Sequence, residues 1–187
     1  MREPYWKCYV VMTTRPVLTP QQCDEFIRLG QSERKFKHAI DKVRKSNVSW
    51  IPFDKGKDIY KDIEDFMKEM NMNFFGFDDM KVTEPGQYTE YSKGDYYNWH
   101  MDTLIQMIHK PLVRKISMTL LLSDPEDFEG GYLQVFGGDM AETEKTKIRI
   151  KRGYAVFFAS FLLHRVTPVT KGNRKSLVMW FGGTPLK

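Results

Sequence analysis

Cysteine is almost missing from this chain: Cys8 and Cys23 are the only two among 187 residues. Two thiols cannot build a disulfide framework, so a reducing, cytoplasmic setting is expected, and a cysteine-rich structural zinc site is excluded. Long apolar runs are missing too. None approaches the ~20 residues that a membrane span needs. The leading MREPYWKCYV has no apolar stretch of the signal-peptide kind, so export is not expected. There is no internal repeat and no low-complexity linker. Histidine is scarce, with only His38, His100, His109 and His164, and any chemistry that uses imidazole is confined to these four.

Aromatic and aliphatic material is plentiful. Thirteen Phe, nine Tyr and four Trp, within 41% hydrophobic residues, can fill one core. A chain of this length buries roughly 70% of its unfolded surface and needs no staple. A single domain over residues 1–187 is the natural reading. Lys and Arg number 29 against 24 Asp and Glu, a formal charge of +5, which raises the question of a nucleic-acid or acidic partner. The cations are scattered, as Lys35, Lys37, Lys42, Arg44 and Lys45 and again as Lys145, Lys147, Arg149, Lys151 and Arg152, and acids interleave with them. A solvated surface is the simpler account.

The first part of the chain carries helical signals. Thr19, Pro20 and Gln22 spell a capping box with proline at the first helical position, and Gly30 is the expected terminator. Ile59, Ile63, Phe66, Met67 and Met70 lie on one face of a helix predicted over Lys57–Met70. From about Met80 the texture changes to short β-branched or aromatic runs divided by glycine-containing turns: KVTEPGQYTEY, DYYNWHM, KISMTLLL, GYLQVF, TKIRIK, YAVFFA, HRVTPV and SLVMWF. About eight strands without intervening helices predict a sandwich or jelly roll, with the earlier helices covering one sheet face.

Three features carry chemistry. His100 and Asp102, in NWHMD, project to one side of an extended strand. Alone, such a pair is more often structural. His164 follows the apolar strand YAVFFAS and a bend, and can return beside His100. Two imidazoles and a carboxylate are a facial set that holds ferrous iron and leaves positions open for a cosubstrate and O2. Arg174, ten residues after His164, starts a strand on which Arg174, Ser176, Val178 and Trp180 share a face. An exposed arginine at a turn is the plain reading. If buried, its guanidinium calls for an acidic partner, which a dicarboxylate ligand could supply.

Together these residues resemble the iron(II)- and 2-oxoglutarate-dependent dioxygenases of the prolyl 4-hydroxylase type, and among them the bacterial and phage PKHD-type hydroxylases. The resemblance runs from about Val82 to Gly183. It rests on Tyr91-x-x-Gly94-x-x-Tyr97-x-x-His100-x-Asp102, on KISMTLLLSDPEDFEGGYLQVF, and on His164-Arg165-Val166-x-Pro168-Val169-x-x-Gly172-x-Arg174. RKSNVSW, from Arg44 to Trp50, is similar to the segment that borders the active site in these enzymes.

The resemblance implies a mainly β fold: a double-stranded β-helix (jelly roll) over 80–187, with 1–79 as helical support and a lid segment. It implies that His100, Asp102 and His164 ligate Fe(II), and that Arg174 pairs with the distal carboxylate of 2-oxoglutarate. Tyr91 would assist Arg174, with Thr119, Leu133 and Ser176 as further cosubstrate contacts. A second tyrosine used by some relatives falls near Leu121. By strand parity Asn98 shares a side with His100 and would support it. Tyr97, Trp99 and Trp180 are candidate substrate contacts. The implied reaction splits 2-oxoglutarate with O2 into succinate and CO2 and hydroxylates a C–H bond, with ascorbate keeping the iron ferrous. A prolyl residue in a protein or peptide is the expected target. Alternatives are a free amino acid or small metabolite, or a non-catalytic jelly-roll binding module. A nucleic-acid demethylase is disfavoured because Arg174 sits at +10 from His164. No membrane partner is expected.

Overall fold

The computed structural model describes residues 8–40, 42–103, 112–136 and 148–184. Helix α1, Pro20–Ser32, starts at the expected capping box: the Thr19 hydroxyl accepts the Gln22 N–H at 3.2 Å, and the Gln22 side chain accepts the Thr19 N–H at 2.9 Å. The helix runs two residues past Gly30, so this glycine is no terminator. A Cβ there would lie 2.2 Å from the Tyr88 ring. Gly30 is a contact point that lets the helix backbone approach the sheet. Helix α2, Lys57–Met70, has the expected bounds and buries Tyr60, Ile63, Phe66, Met67 and Met70.

Among the described residues twelve strands follow one another as β1 Val10–Met12, β2 Phe36–Ile40, β3 Arg44–Ile51, β4 Lys81–Val82, β5 Gly86–Ser92, β6 Tyr96–His100, β7 Val113–Leu121, β8 Phe128–Gly130, β9 Leu133–Val135, β10 Ala155–Ala159, β11 His164–Val166 and β12 Val169–Gly183. Their order is β1-β10-β7-β12-β5-β3-β6-β11-β9. Strand β2 lies beside β3, and β4 and β8 lie beside β12. Neighbours pair antiparallel throughout. The fifteen-residue β12 pairs first with β8 and then, further along, with both β5 and β7. One strand thereby joins the two layers of a jelly-roll core.

KISMTLLL, expected to be central, forms most of β7, between β10 and β12. Its alternate residues Ile116, Met118 and Leu120 join Leu177, Met179 and Phe181 of β12 and the buried faces of both helices in the main apolar core. The other set faces the barrel interior, where a smaller cluster gathers Leu121, Leu133, Val135, Ile150, Val156 and Phe158.

Two expectations need correction. The stretch before residue 80 is not helical support alone, because it holds β1, β2 and β3, and β3 lies between β5 and β6. Strand β3 buries polar residues: Ser49 donates to the Gly30 carbonyl at 2.5 Å, and Ser46 accepts from Arg44 at 2.8 Å. Apolar alternation is therefore weak there. Of TKIRIK, the described part makes only an isolated bridge, Ile148 to Leu133. His109 and most of the connection after Asp102 lie outside the described residues. Among the described residues no helix is long and apolar enough to cross a membrane.

Candidate active site

Strand pairing assembles the site. His100 ends β6, His164 begins β11, and the antiparallel register sets them opposite each other, with ring centroids 4.0 Å apart. Asp102 lies two residues beyond the end of β6, anchored by its backbone N–H to the Ser160 carbonyl at 3.0 Å. Its Oδ2 is 3.3 Å from His164 Nε2, and its Oδ1 is 3.8 Å from His100 Nε2. One ligand atom from each of the three lies within 4.8 Å of the others, the one such group among the described residues.

Hydrogen bonds orient each member. His100 Nδ1 is 2.8 Å from the Asn98 carbonyl, and His164 Nδ1 is 3.0 Å from the Leu162 carbonyl. A carbonyl only accepts, so both Nδ1 atoms carry a proton, and Nε2 is the atom each ring turns toward Asp102. Burial, with His164 nearby, pushes His100 down to about 4, which keeps the ring neutral at neutral pH. Burial alone would raise the Asp102 carboxyl, but contacts with His164, the Ser117 hydroxyl at 2.7 Å and His100 outweigh it and hold the group well below the usual carboxylate range.

Arg174 is opposite Tyr91 in the β5–β12 register and is 2% exposed. Its Nη1 donates to Ser176 Oγ at 2.9 Å, and its guanidinium sits 5.7 Å from the Tyr91 ring centre. Gly131 makes room for it: a Cβ there would meet Arg174 Cδ at 2.9 Å, on a backbone with φ +59°. Among the described residues no carboxylate pairs with this cation. Burial lowers its pKa, opposed in part by Tyr91. Burial also raises the Tyr91 hydroxyl, against the pull of Arg44 and Arg174, so it stays a proton donor. Two imidazoles and an ionised carboxylate fit a ferrous ion. A buried guanidinium without an acid fits a carboxylate-bearing cosubstrate.

A cavity of about 240 Å³ opens beside the histidines, and Tyr91, Tyr97, Thr119, Leu133 and Trp180 line it with His100, Asp102 and His164. Arg174 and Leu121 border an adjoining space of about 180 Å³ that shares Leu133 with it. Ser176 is fully buried and contacts Arg174. Two expectations change. Asn98 was placed on the His100 side by parity, yet its side chain is exposed and donates to the Lys42 carbonyl at 3.1 Å. A bulge causes this: His164 pairs with His100 but Val166 pairs with Tyr97, so three residues of β6 span two of β11. The same bulge stacks Tyr97 on His100 at 3.5 Å. Asn98 orients His100 through its carbonyl instead. Trp99 does not line the cavity. It packs against Phe136 and lies under the Arg165 guanidinium at 4.6 Å.

Sequence reasoning gave no individual role to Ser117, Gln87, Trp50 or Arg114. Ser117 carried a signal, a lone serine within an apolar strand. Gln87, Trp50 and Arg114 reach the cavity only through the sheet order.

A family model described as the 2OG-Fe(II) oxygenase superfamily matches residues 86–182. The chain belongs to this family. Among curated proteins, a PKHD-type hydroxylase of Shewanella frigidimarina is 34% identical over 99 residues, covering 51% of this chain and 42% of that protein. The chain thus matches less than half the length of that relative. The fold resembles that of a viral collagen prolyl hydroxylase from Paramecium Bursaria Chlorella virus-1, solved with 2OG, at TM-score 0.74 and 24% identity over 95% of this chain and 97% of that one. It also resembles a Pseudomonas putida prolyl-4-hydroxylase, at TM-score 0.69 and 20% identity over 95% and 93% of the two chains.

Proposed function

We propose that this chain is an Fe(II)- and 2-oxoglutarate-dependent dioxygenase that hydroxylates a prolyl residue in a protein or peptide and releases succinate and CO2. One observation carries the reading: the convergent donors of His100, Asp102 and His164 share a barrel interior with the buried Arg174, which has no acid partner among the described residues. In this reading the first three residues hold the iron, with each Nδ1–H fixed by a backbone carbonyl. Arg174 takes the distal carboxylate of 2-oxoglutarate, Ser176 steadies the guanidinium, and Tyr91 donates its hydroxyl. Thr119 and Leu133 flank the cosubstrate and exclude water. Iron and O2, when bound, supply the oxidising power that couples decarboxylation of 2-oxoglutarate to hydroxylation of a C–H bond, and ascorbate would keep the metal ferrous. Likeness to PKHD-type and prolyl hydroxylases supports the prolyl target. A cytoplasmic setting suits the free thiols of Cys8 and Cys23.

The test is succinate release with Fe(II) and 2-oxoglutarate, with and without a panel of proline-containing peptides. Stimulation by a subset of the peptides is the expected result. A panel without effect would remove the prolyl target and leave the cosubstrate assignment standing. His100→Ala should abolish Fe(II) binding in a calorimetric titration, and unchanged binding would refute the ligand set.

A further inference from the structure

Arg44 is a second arginine buried in the barrel, 8% exposed, at the start of β3. Its Nε donates to Ser46 Oγ at 2.8 Å and its Nη2 to Gln87 Oε1 at 2.9 Å. The guanidinium lies 4.4 Å from the centre of the Tyr97 ring, which stacks on His100, and it also interacts with the Tyr91 hydroxyl. Every one of these partners is neutral. Among the described residues no carboxylate pairs with Arg44.

Arg114, which borders the same cavity, shows what a matched arginine looks like there. Glu84 holds it through two hydrogen bonds of 2.5 Å, and its guanidinium stacks 3.9 Å from the centre of the Trp180 ring. Trp180 adds an independent sign. It is 5% exposed and lines the cavity, and its Nε1 is buried with no hydrogen-bond partner. An indole N–H can only donate, and leaving a buried donor unpaired is costly. The cavity therefore holds two unmatched groups, a cation and a neutral donor, and both ask for an acceptor.

A charge reckoning that rests on the function proposed above reaches the same place. The two charges of a ferrous ion are cancelled by a doubly anionic cosubstrate, Asp102 offsets Arg174, and Glu84 offsets Arg114. Arg44 is left over. We infer that the substrate brings a carboxylate into this cavity, bound by Arg44 with the Trp180 N–H as a second donor. The hydroxylated residue therefore carries its own free acid, as a C-terminal prolyl residue or a free imino acid does, instead of lying within a chain. Arg44 and Trp180 line the same cavity as His100, Asp102 and His164, so an acid bound there lies beside the residue to be hydroxylated.

The experiment compares acids with their amides. Full-length protein loaded with Mn(II) and 2-oxoglutarate is titrated calorimetrically with a dipeptide ending in proline, with the same dipeptide amide, and with free L-proline. Succinate release by the Fe(II) protein is measured on the same ligands and on matched acids and amides of other residues. Binding of an acid at least about tenfold tighter than its amide, a difference of about 1.4 kcal/mol, is expected. R44Q should erase the preference, R44K should keep part of it, and W180F should narrow it several-fold while retaining an aromatic ring. Thermal melts confirm that each variant is folded. W180F, which disturbs no hydrogen bond seen here, keeps the test decisive should R44Q unfold. Tighter binding of the dipeptide than of L-proline places the carboxylate on a peptide terminus, and the reverse order places it on the free imino acid. Equal binding of acid and amide overturns the inference, and leaves the proposed function intact if either one stimulates succinate release. A carboxylate preference without any prolyl preference overturns the prolyl target alone.

Discussion

On β7, Ile116, Met118 and Leu120 pack toward the two helices, whereas Ser117, Thr119 and Leu121, one residue out of step, face the barrel interior. Strand β12 repeats the division, with Leu177, Met179 and Phe181 on the helical side and Arg174, Ser176, Val178 and Trp180 on the other. Both faces are buried, but for different purposes. The helical face is apolar and closely packed, so its side chains contribute to stability by removing hydrocarbon from water. The inner face buries a carboxylate, two guanidinium groups, hydroxyls and an indole N–H. Most are paired, and those without partners mark where a ligand belongs. The period of two keeps these demands apart along a single strand.

The comparison can be broken by substitutions that touch one face each. Phe181→Ala removes a fully buried ring on the helical side and should cost about 3–5 kcal/mol of unfolding free energy in a denaturant titration, with Fe(II) affinity in the surviving folded protein nearly unchanged. Asp102→Ala should do the opposite: Fe(II) binding disappears while the unfolding midpoint moves far less than for Phe181→Ala. Collapse of the fold would instead make the inner carboxylate structural. Ser117→Ala deletes the hydroxyl that donates to Asp102 and should weaken Fe(II) binding by roughly tenfold, read by the same calorimetry. Gly131→Ala presses on Arg174 Cδ, and should raise the 2-oxoglutarate concentration needed for half-maximal binding several-fold without altering metal affinity. Away from both faces, Thr19→Ala removes the α1 cap for about 1 kcal/mol and should leave every ligand titration as it was.

Much of the site was legible because its residues are rare and their spacing regular. Four histidines left few ways to build a metal site, and the motif shared with the PKHD-type hydroxylases, more than spacing alone, set His100, Asp102, His164 and Arg174 apart. The helices were readable from Thr19 and from the stripe ending in Met70, since capping and a 3.6-residue period are local. The misses were non-local. Gly30 reads as a helix stop in the sequence, but the Tyr88 ring lies against it. Parity put Asn98 beside His100, but the bulge between β6 and β11, which no local signal announced, turned it outward and brought in Tyr97. Arg44 read as one of many scattered cations, because burial is a property of the sheet order and not of its neighbours in sequence.

The sequence by itself determined the alternation that separates a packing face from a chemical face, the helix starts, and the identities of the metal-binding candidates, since side-chain type and short-range periodicity need no partner. Only the tertiary structure decided which cations are buried without an acid. That follows from β3 lying between β5 and β6, where Arg44 reaches Gln87 and Tyr97, and from Glu84 reaching Arg114 while no acid among the described residues reaches Arg44. The cost of an unmatched charge depends on the solvent it has lost and the partners it has met, and both are set by residues far away in the chain.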